Sequence, residues 1–266
     1  MITIESKTYN QVWIDALERI RPELVHVNAE IHISVNSTSI RSGAKNILWL
    51  NEAYPLIQTI ILDIENRPEY FAQYYSKVYT WNEITKKHSF MRHSHPSCSA
   101  WVDPVFLPQK EKNISLISSS KKIFYGHIYR LNLVEQLSKL KDIYGNKIDL
   151  YGKDTNYIPS KKDGLVPYRF SVAIENDART NWYTEKILDC FLTCTVPIYY
   201  GSDTVFDKFN PNGIIKLDQN FDINNLTAET YNSMLDAIIE NYYIAKKENV
   251  TPEETLKKII IENSIL

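Results

Sequence analysis

From Ile114 onward, short apolar runs alternate with longer amphipathic stretches, and that alternation restricts the chain to few folds. Ile114 to Ile117, Lys147 to Tyr151, Phe170 to Ile174, Val196 to Tyr200 and Ile214 to Leu217 read as strands. His127 to Leu140, Thr184 to Leu192, Ala228 to Lys247 and Pro252 to Asn263 read as helices. Strands that are apolar throughout are buried on both faces, and helices between them supply the cover. The expected product is an α/β chain with a parallel sheet.

The first half carries similar elements less regularly. Gln11 to Arg19 predicts a helix that Arg21-Pro22 ends. Glu30 to Val35 alternates polar and apolar residues, the pattern of a half-buried strand, and Asn46 to Leu50 reads as a buried one. Pro55 opens a helix running to about Asn66, because proline is tolerated in a first turn. Lys77 to Trp81 is a further strand, and His88 to Pro108 reads as irregular. The polar, proline-flanked stretch Pro104 to Asn113 reads as an interdomain linker. A length of 266 residues suits one large domain or two smaller ones. We expect two Rossmann-like domains, residues 1–108 and 109–266, with the N-terminal half reduced.

Charge and cysteine usage exclude several classes. The 30 Lys and Arg against 32 Asp and Glu give a net charge of −2, so a nucleic-acid partner held through phosphates is not expected. Cys98, Cys190 and Cys194 are too few for a disulfide framework. Met1 to Asn10 has no apolar core of signal-peptide length and no stretch of the chain reads as a membrane span, so the expected location is cytoplasmic. The four sequons at Asn36, Asn113, Asn225 and Asn249 are then expected to be silent.

In parallel α/β sheets, ligands bind outside the carboxyl ends of the strands. There, Phe170 to Ile174 runs into Glu175-Asn176, a polar loop follows, and Thr184 stands where a helix N-cap would accept a backbone N–H. Glu185 and Lys186 fall in the first turn. A lysine at a helix start opposes the macrodipole unless an anion docks there. On pattern alone, a surface Glu–Lys pair on a solvated loop is also compatible.

The block Tyr168 to Ile215 resembles the donor-binding motif of the α-1,3/4-fucosyltransferase family, glycosyltransferase family 10, in its bacterial branch. The family pattern is an aromatic-rich strand ending in Phe-Glu-Asn, then Tyr-x-Thr-Glu-Lys, then Thr-x-Pro-x-x-x-Gly. Here these read Ile174-Glu175-Asn176, Trp182-Tyr183-Thr184-Glu185-Lys186 and Thr195-Val196-Pro197 through Gly201, with Tyr200-Gly201-Ser202 and Phe209-Asn210-Pro211 following. Ile174 and Trp182 depart from the pattern. The resemblance implies a GT-B-like fold with a cleft between an acceptor-side domain (1–108) and a donor-binding domain (109–266). It implies an inverting glycosyltransferase that moves L-fucose from GDP-fucose to a glycan hydroxyl. No cofactor or metal is implied, the GDP-sugar being the donor substrate. Glu175, Asn176, Trp182 and Thr184 would line the donor site, Glu185 would contact the ribose, and Lys186 the diphosphate.

Arg130, in the helix opened by Gly126-His127, matches by order a family arginine that grips phosphate; otherwise it is a solvated helix residue, as Lys121 and Lys122 are expected to be. An inverting transfer needs a base for the acceptor hydroxyl. Glu52, just past the Asn46 to Leu50 strand, matches the family's base by position, with a plain helix N-terminal carboxylate as the other reading. His88, His93, His95 and Cys98 invite a zinc reading, but their spacing fits no closed motif and an acceptor-side loop is preferred. Trp13, Trp49, Trp81 and Trp101 suit either an acceptor groove or the core. No Gly-rich phosphate loop occurs, so NAD and ATP lack support. Transfer of another sugar, an unusual acceptor such as modified nucleic acid, and an inactive binding relative remain open; Glu52, Arg130, Glu185 and Lys186 together favour the enzyme.

Overall fold

Each half of the chain builds a five-stranded sheet in which neighbouring strands pair in parallel. The computed structural model describes residues 1–6, 10–96, 99–152 and 155–265. It forms two units, Met1–Cys98 with Val250–Leu266, and Ser99–Asn249.

The first unit contains β1 (Ile2–Ser6), β2 (Ile31–Val35), β3 (Lys45–Leu50), β4 (Lys77–Thr80) and β5 (Met91–His93), which lie side by side in chain order. α1 (Asn10–Ile20), α2 (Tyr54–Asn66) and α3 (Pro68–Tyr74) connect them, and α9 (Pro252–Ser264) joins from the far end of the chain. Trp13, Ala16, Leu17 and Ile20 of α1 and Leu256, Ile259 and Ile260 of α9 share one buried cluster with Ile31, Ile33, Val35, Ile47 and Trp49. The period of two sends Leu48 and Leu50 to the opposite face. Two expectations change here. β2 is buried along its whole length, because His32 hydrogen-bonds with Thr3 Oγ1 at 3.0 Å and Ser39 Oγ at 2.9 Å, so its polar side is satisfied without water. β5 is a short strand inside the stretch read as irregular; its first residue, Met91, is buried while Arg92 and His93 are not.

The second unit contains β6 (Lys112–Ser118), β7 (Asp149–Gly152), β8 (Tyr168–Ile174), β9 (Val196–Tyr200) and β10 (Ile215–Lys216) in the order β7-β6-β8-β9-β10. Its helices are α4 (Tyr125–Leu137), α5 (Glu185–Leu192), α6 (Val205–Lys208), α7 (Ala228–Ser233) and α8 (Leu235–Glu248). The single helix expected over 228–247 is two helices, with Met234 at φ −95° and ψ 0° between them. Asn232 and Ser233 are weak helix formers and do not carry the helix through. One sheet face packs Leu116, Phe170, Val172 and Ile198 with Leu137, Tyr231 and Ile238. The other packs Ala173 and Tyr199 with Leu165, Ile187, Leu188 and Phe191.

The division differs from the expected 1–108 and 109–266. Val105 N–H donates to Leu192 O at 2.7 Å and Leu107 N–H to Cys194 Sγ at 3.3 Å, so the stretch read as a linker lies against the second unit. α9 lies with the first unit: Arg19 pairs with Glu253 at 2.5 Å, Lys257 pairs with Glu23, and Asn263 Nδ2 donates to Tyr79 OH at 2.9 Å. Among the described residues, no helix is long and apolar enough to cross a membrane.

Candidate functional site

The second sheet has its strand-order reversal between β6 and β8, since α4 leads from β6 outward to β7 before the chain returns to β8 on the other side. Such a switch point opens a crevice at the carboxyl ends of the two strands. Ser118 ends β6 and Ser119 follows it, and Glu175 and Asn176 directly follow β8. The first turn of α4 presses on this point: a Cβ on Gly126 would lie 2.0 Å from Glu175 O, so only glycine permits that approach. Gly126→Ala is therefore expected to destabilise the protein by about 1–3 kcal/mol through overpacking against backbone, read as a lowered denaturation midpoint. An unchanged midpoint would mean that α4 can move aside freely.

Glu175 is completely buried and both its oxygens are bonded. Oε1 accepts the Thr184 N–H at 2.8 Å, and Oε2 accepts Thr184 Oγ1 at 2.7 Å and Lys186 Nζ at 3.3 Å. Thr184 does stand at the N-cap of α5, but its side chain makes no capping bond. Instead Oγ1 donates to Glu175 and accepts from Lys186 at 2.7 Å. The stronger charged partners outcompete a backbone amide.

Lys186 also lies 3.4 Å from Glu185, which Lys161 approaches at 3.7 Å. Burial works against both charges. For Lys186 the carboxylates of Glu175 and Glu185 outweigh it and raise the ammonium's pKa. For Glu185 the two lysines outweigh burial and draw the carboxyl down to about 2. The Glu185–Lys186 pair is thus no solvated surface pair: the side chains are 15% and 19% exposed.

Arg130 is buried, donates from Nη2 to Ser119 Oγ at 3.0 Å, and keeps a buried Nε with no partner among the described residues. Burial lowers its pKa, while Glu175 and Glu185 support its charge. Asn176 likewise has a buried Oδ1 with no partner among the described residues. His127, buried in the same turn of α4, is pushed down to about 4 by burial and by the neighbouring charges of Arg130, Lys121 and Lys186. Its Nδ1 accepts the Phe124 N–H at 3.1 Å, which places the proton on Nε2 of the neutral ring. Trp182 is buried, following Asn181 at φ 67°.

The fold thus brings Arg130, Glu175, Thr184, Glu185 and Lys186 together around one switch point, with Asn176 beside them in sequence. Sequence reasoning missed Lys161 and Asp189. Asp189 is 1% exposed, accepts Lys161 Nζ at 2.8 Å and accepts the Trp101 N–H at 2.7 Å. Its signal was the four-residue spacing from Glu185, which puts both carboxylates on one helix face. Lys161 had none, because Lys161-Lys162-Asp163 reads as a solvated charge run.

Glu52 lies in the first unit, half-buried, just beyond β3. Its backbone is fixed: Trp81 Nε1 donates to Glu52 O at 2.9 Å, while Asn36 and Asn51 exchange bonds of 2.7 and 2.8 Å across the ends of β2 and β3. Trp13, Trp49 and Trp81 are core residues, and Trp101 is 71% exposed. His93 and His95 contact edge to face at 4.7 Å, and Cys98 lies outside the described residues. Among the described residues, no group of three or more His, Cys, Asp or Glu side chains is placed to hold a metal ion.

Two cations beside a switch point, with a carboxylate next to them, can hold a phosphate-bearing ligand and its hydroxyls. Two parallel-sheet α/β units in one chain make this a GT-B-like protein. Solved structures agree on the fold: an α1,3-fucosyltransferase with GDP-fucose superposes with a TM-score of 0.58 at 15% identity, covering 100% of this chain and 91% of that one. The same title with GDP gives 0.57 at 14% identity over 98% and 89%, and TarM gives 0.52 at 12% identity over 94% and 58%. The family model described as glycosyltransferase family 10 (fucosyltransferase) C-term matches residues 107–248. The chain belongs to that family. A curated relative, the α-(1,3)-fucosyltransferase FucT of Helicobacter pylori, is 24% identical over 169 residues, 59% of this chain and 33% of the relative. The match therefore spans about a third of that relative's length.

Proposed function

We propose that this chain transfers a sugar from a GDP-linked donor, L-fucose foremost, to a hydroxyl of a glycan acceptor, with inversion and without a metal ion. The observation that carries the reading is the Arg130, Lys186 and Glu185 cluster at the β6/β8 switch point. Lys186 and Arg130 meet the diphosphate and offset the charge that grows on departing GDP. Glu185, ionised at any working pH, accepts from the ribose hydroxyls. Glu175 holds Lys186 and Thr184 in place from below. Glu52 takes the proton of the acceptor hydroxyl as its oxygen attacks the anomeric carbon and the bond to the β-phosphate breaks. The fucosyltransferase family and the GDP and GDP-fucose named in the solved relatives support this donor. Acceptor choice falls to the first unit, which lies wholly outside the residues the family model matches.

The test is nucleotide binding in the presence of EDTA. GDP is expected to raise the melting temperature more than UDP or CMP, and chelation to leave the GDP effect intact. Tighter UDP binding, or a GDP effect that disappears in EDTA and returns with Mg²⁺, would sink the reading. Mass-spectrometric turnover across a panel of nucleotide sugars then identifies the sugar.

A further inference from the structure

The charged groups of the second unit stand in a fixed succession. Arg130 and Lys186 share the field of Glu175 and Glu185. The Oε1 of Glu185 faces Lys186 Nζ at 3.4 Å and Lys161 Nζ at 3.7 Å. Lys161 in turn pairs with Asp189 at 2.8 Å, and its ammonium lies 4.2 Å from the centre of the Trp101 ring. The succession is two cations, a carboxylate, a third cation and an aromatic ring.

A nucleoside diphosphate has a matching succession: diphosphate, ribose, base. With the diphosphate at Arg130 and Lys186 and the ribose at Glu185, the base falls toward Lys161 and Trp101. Trp101 is suited to receive it. It is 71% exposed, whereas Trp13, Trp49, Trp81 and Trp182 are at most 8% exposed. An exposed indole on a loop is ordinarily free to turn, but this one is tied at two points. Its backbone N–H donates to the buried Asp189 at 2.7 Å, and the Lys161 ammonium sits over its ring. Asp189 therefore fixes both the loop and the lysine. The cost of burying Asp189, whose carboxyl is raised by burial despite Lys161, is explained if the exposed ring must be held in one orientation.

We infer that Trp101 is the stacking platform for the donor's nucleobase, and that Lys161 is a positioning residue holding both Trp101 and Glu185. The inference rests on the reading of this unit as a nucleotide-sugar site. Stacking is indifferent to hydrogen-bonding edges and grows with ring area, so a purine gains more than a pyrimidine.

The experiment is calorimetric binding of GDP and of inorganic pyrophosphate to the full chain, its Trp101→Ala and Trp101→Phe variants, and Glu185→Ala. Trp101→Ala is expected to weaken GDP about tenfold to a hundredfold, and to leave pyrophosphate within about twofold. Trp101→Phe, which keeps a ring, is expected to restore most of the GDP affinity. A purely structural role would not separate GDP from pyrophosphate. Normal GDP binding by Trp101→Ala, with affinity lost in Glu185→Ala, overturns the platform and leaves the donor site standing. Equal loss of GDP and pyrophosphate in Trp101→Ala also overturns it. Absence of GDP binding by the unaltered chain removes the donor reading itself, and the platform with it.

Discussion

Glu52→Gln is expected to lower turnover by about 10²- to 10⁴-fold, the usual contribution of a general base. Glutamine keeps the shape and an acceptor oxygen but cannot take a proton. The surrounding frame should survive, because the segment is fixed through the Glu52 carbonyl and the Asn36–Asn51 pair, not through the carboxylate alone. GDP affinity should change little, since Glu52 belongs to the first unit and every residue assigned to the donor belongs to the second. Glu185→Ala should do the reverse in part, weakening GDP by removing the ribose contact proposed for this carboxylate. Steady-state turnover together with calorimetric GDP binding separates these effects. Near-normal turnover in Glu52→Gln would remove the base assignment. A large loss of GDP affinity would instead place Glu52 within the donor site.

Glu175→Ala is expected to be the most damaging change to the second unit. The carboxylate is completely buried, and its removal strands the Thr184 N–H, the Thr184 hydroxyl and one side of the Lys186 ammonium. Breaking a buried ion pair by deleting one partner costs about 3–5 kcal/mol. Lys186 keeps Glu185 at 3.4 Å and is 19% exposed, so the lower end applies. A loss of about 3 kcal/mol lowers the melting temperature of a chain this size by about 6–12 °C. Glu175→Gln retains an acceptor for Thr184 and should fall between the two. GDP affinity should drop in both, because Lys186 loses the group that orients it. Chemical denaturation giving less than about 1 kcal/mol for Glu175→Ala would show that water or Glu185 replaces the lost partner.

The family block was legible because it is local. Glu175, Thr184, Glu185 and Lys186 sit at a strand end and a helix start eleven residues apart, and their order in sequence is nearly their order in space. The strand and helix alternation of the second half was legible for a similar reason, since burial on both sheet faces leaves apolar runs that no solvated segment shows. What each residue does within the block was less so. Thr184 looked like an N-cap, and only the proximity of a buried carboxylate made it a relay between Glu175 and Lys186.

The sequence by itself determined the α/β class, the position of most strands and the family. These follow from periodicity and from residues close together in the chain. Tertiary structure decided what depends on distant segments meeting. It put α9 into the first unit through Leu256, Ile259 and Ile260, although it follows the whole second unit in the chain. It brought Gly126 against Glu175, across an intervening strand and loops, and so set α4 and Arg130 beside the block. It also joined Trp101 and Lys161 to Asp189, segments 88 and 28 residues away from it. No pattern in a single segment encodes such pairings, because the energy that fixes them, burial of apolar faces and neutralisation of enclosed charge, is realised only when the segments are packed together.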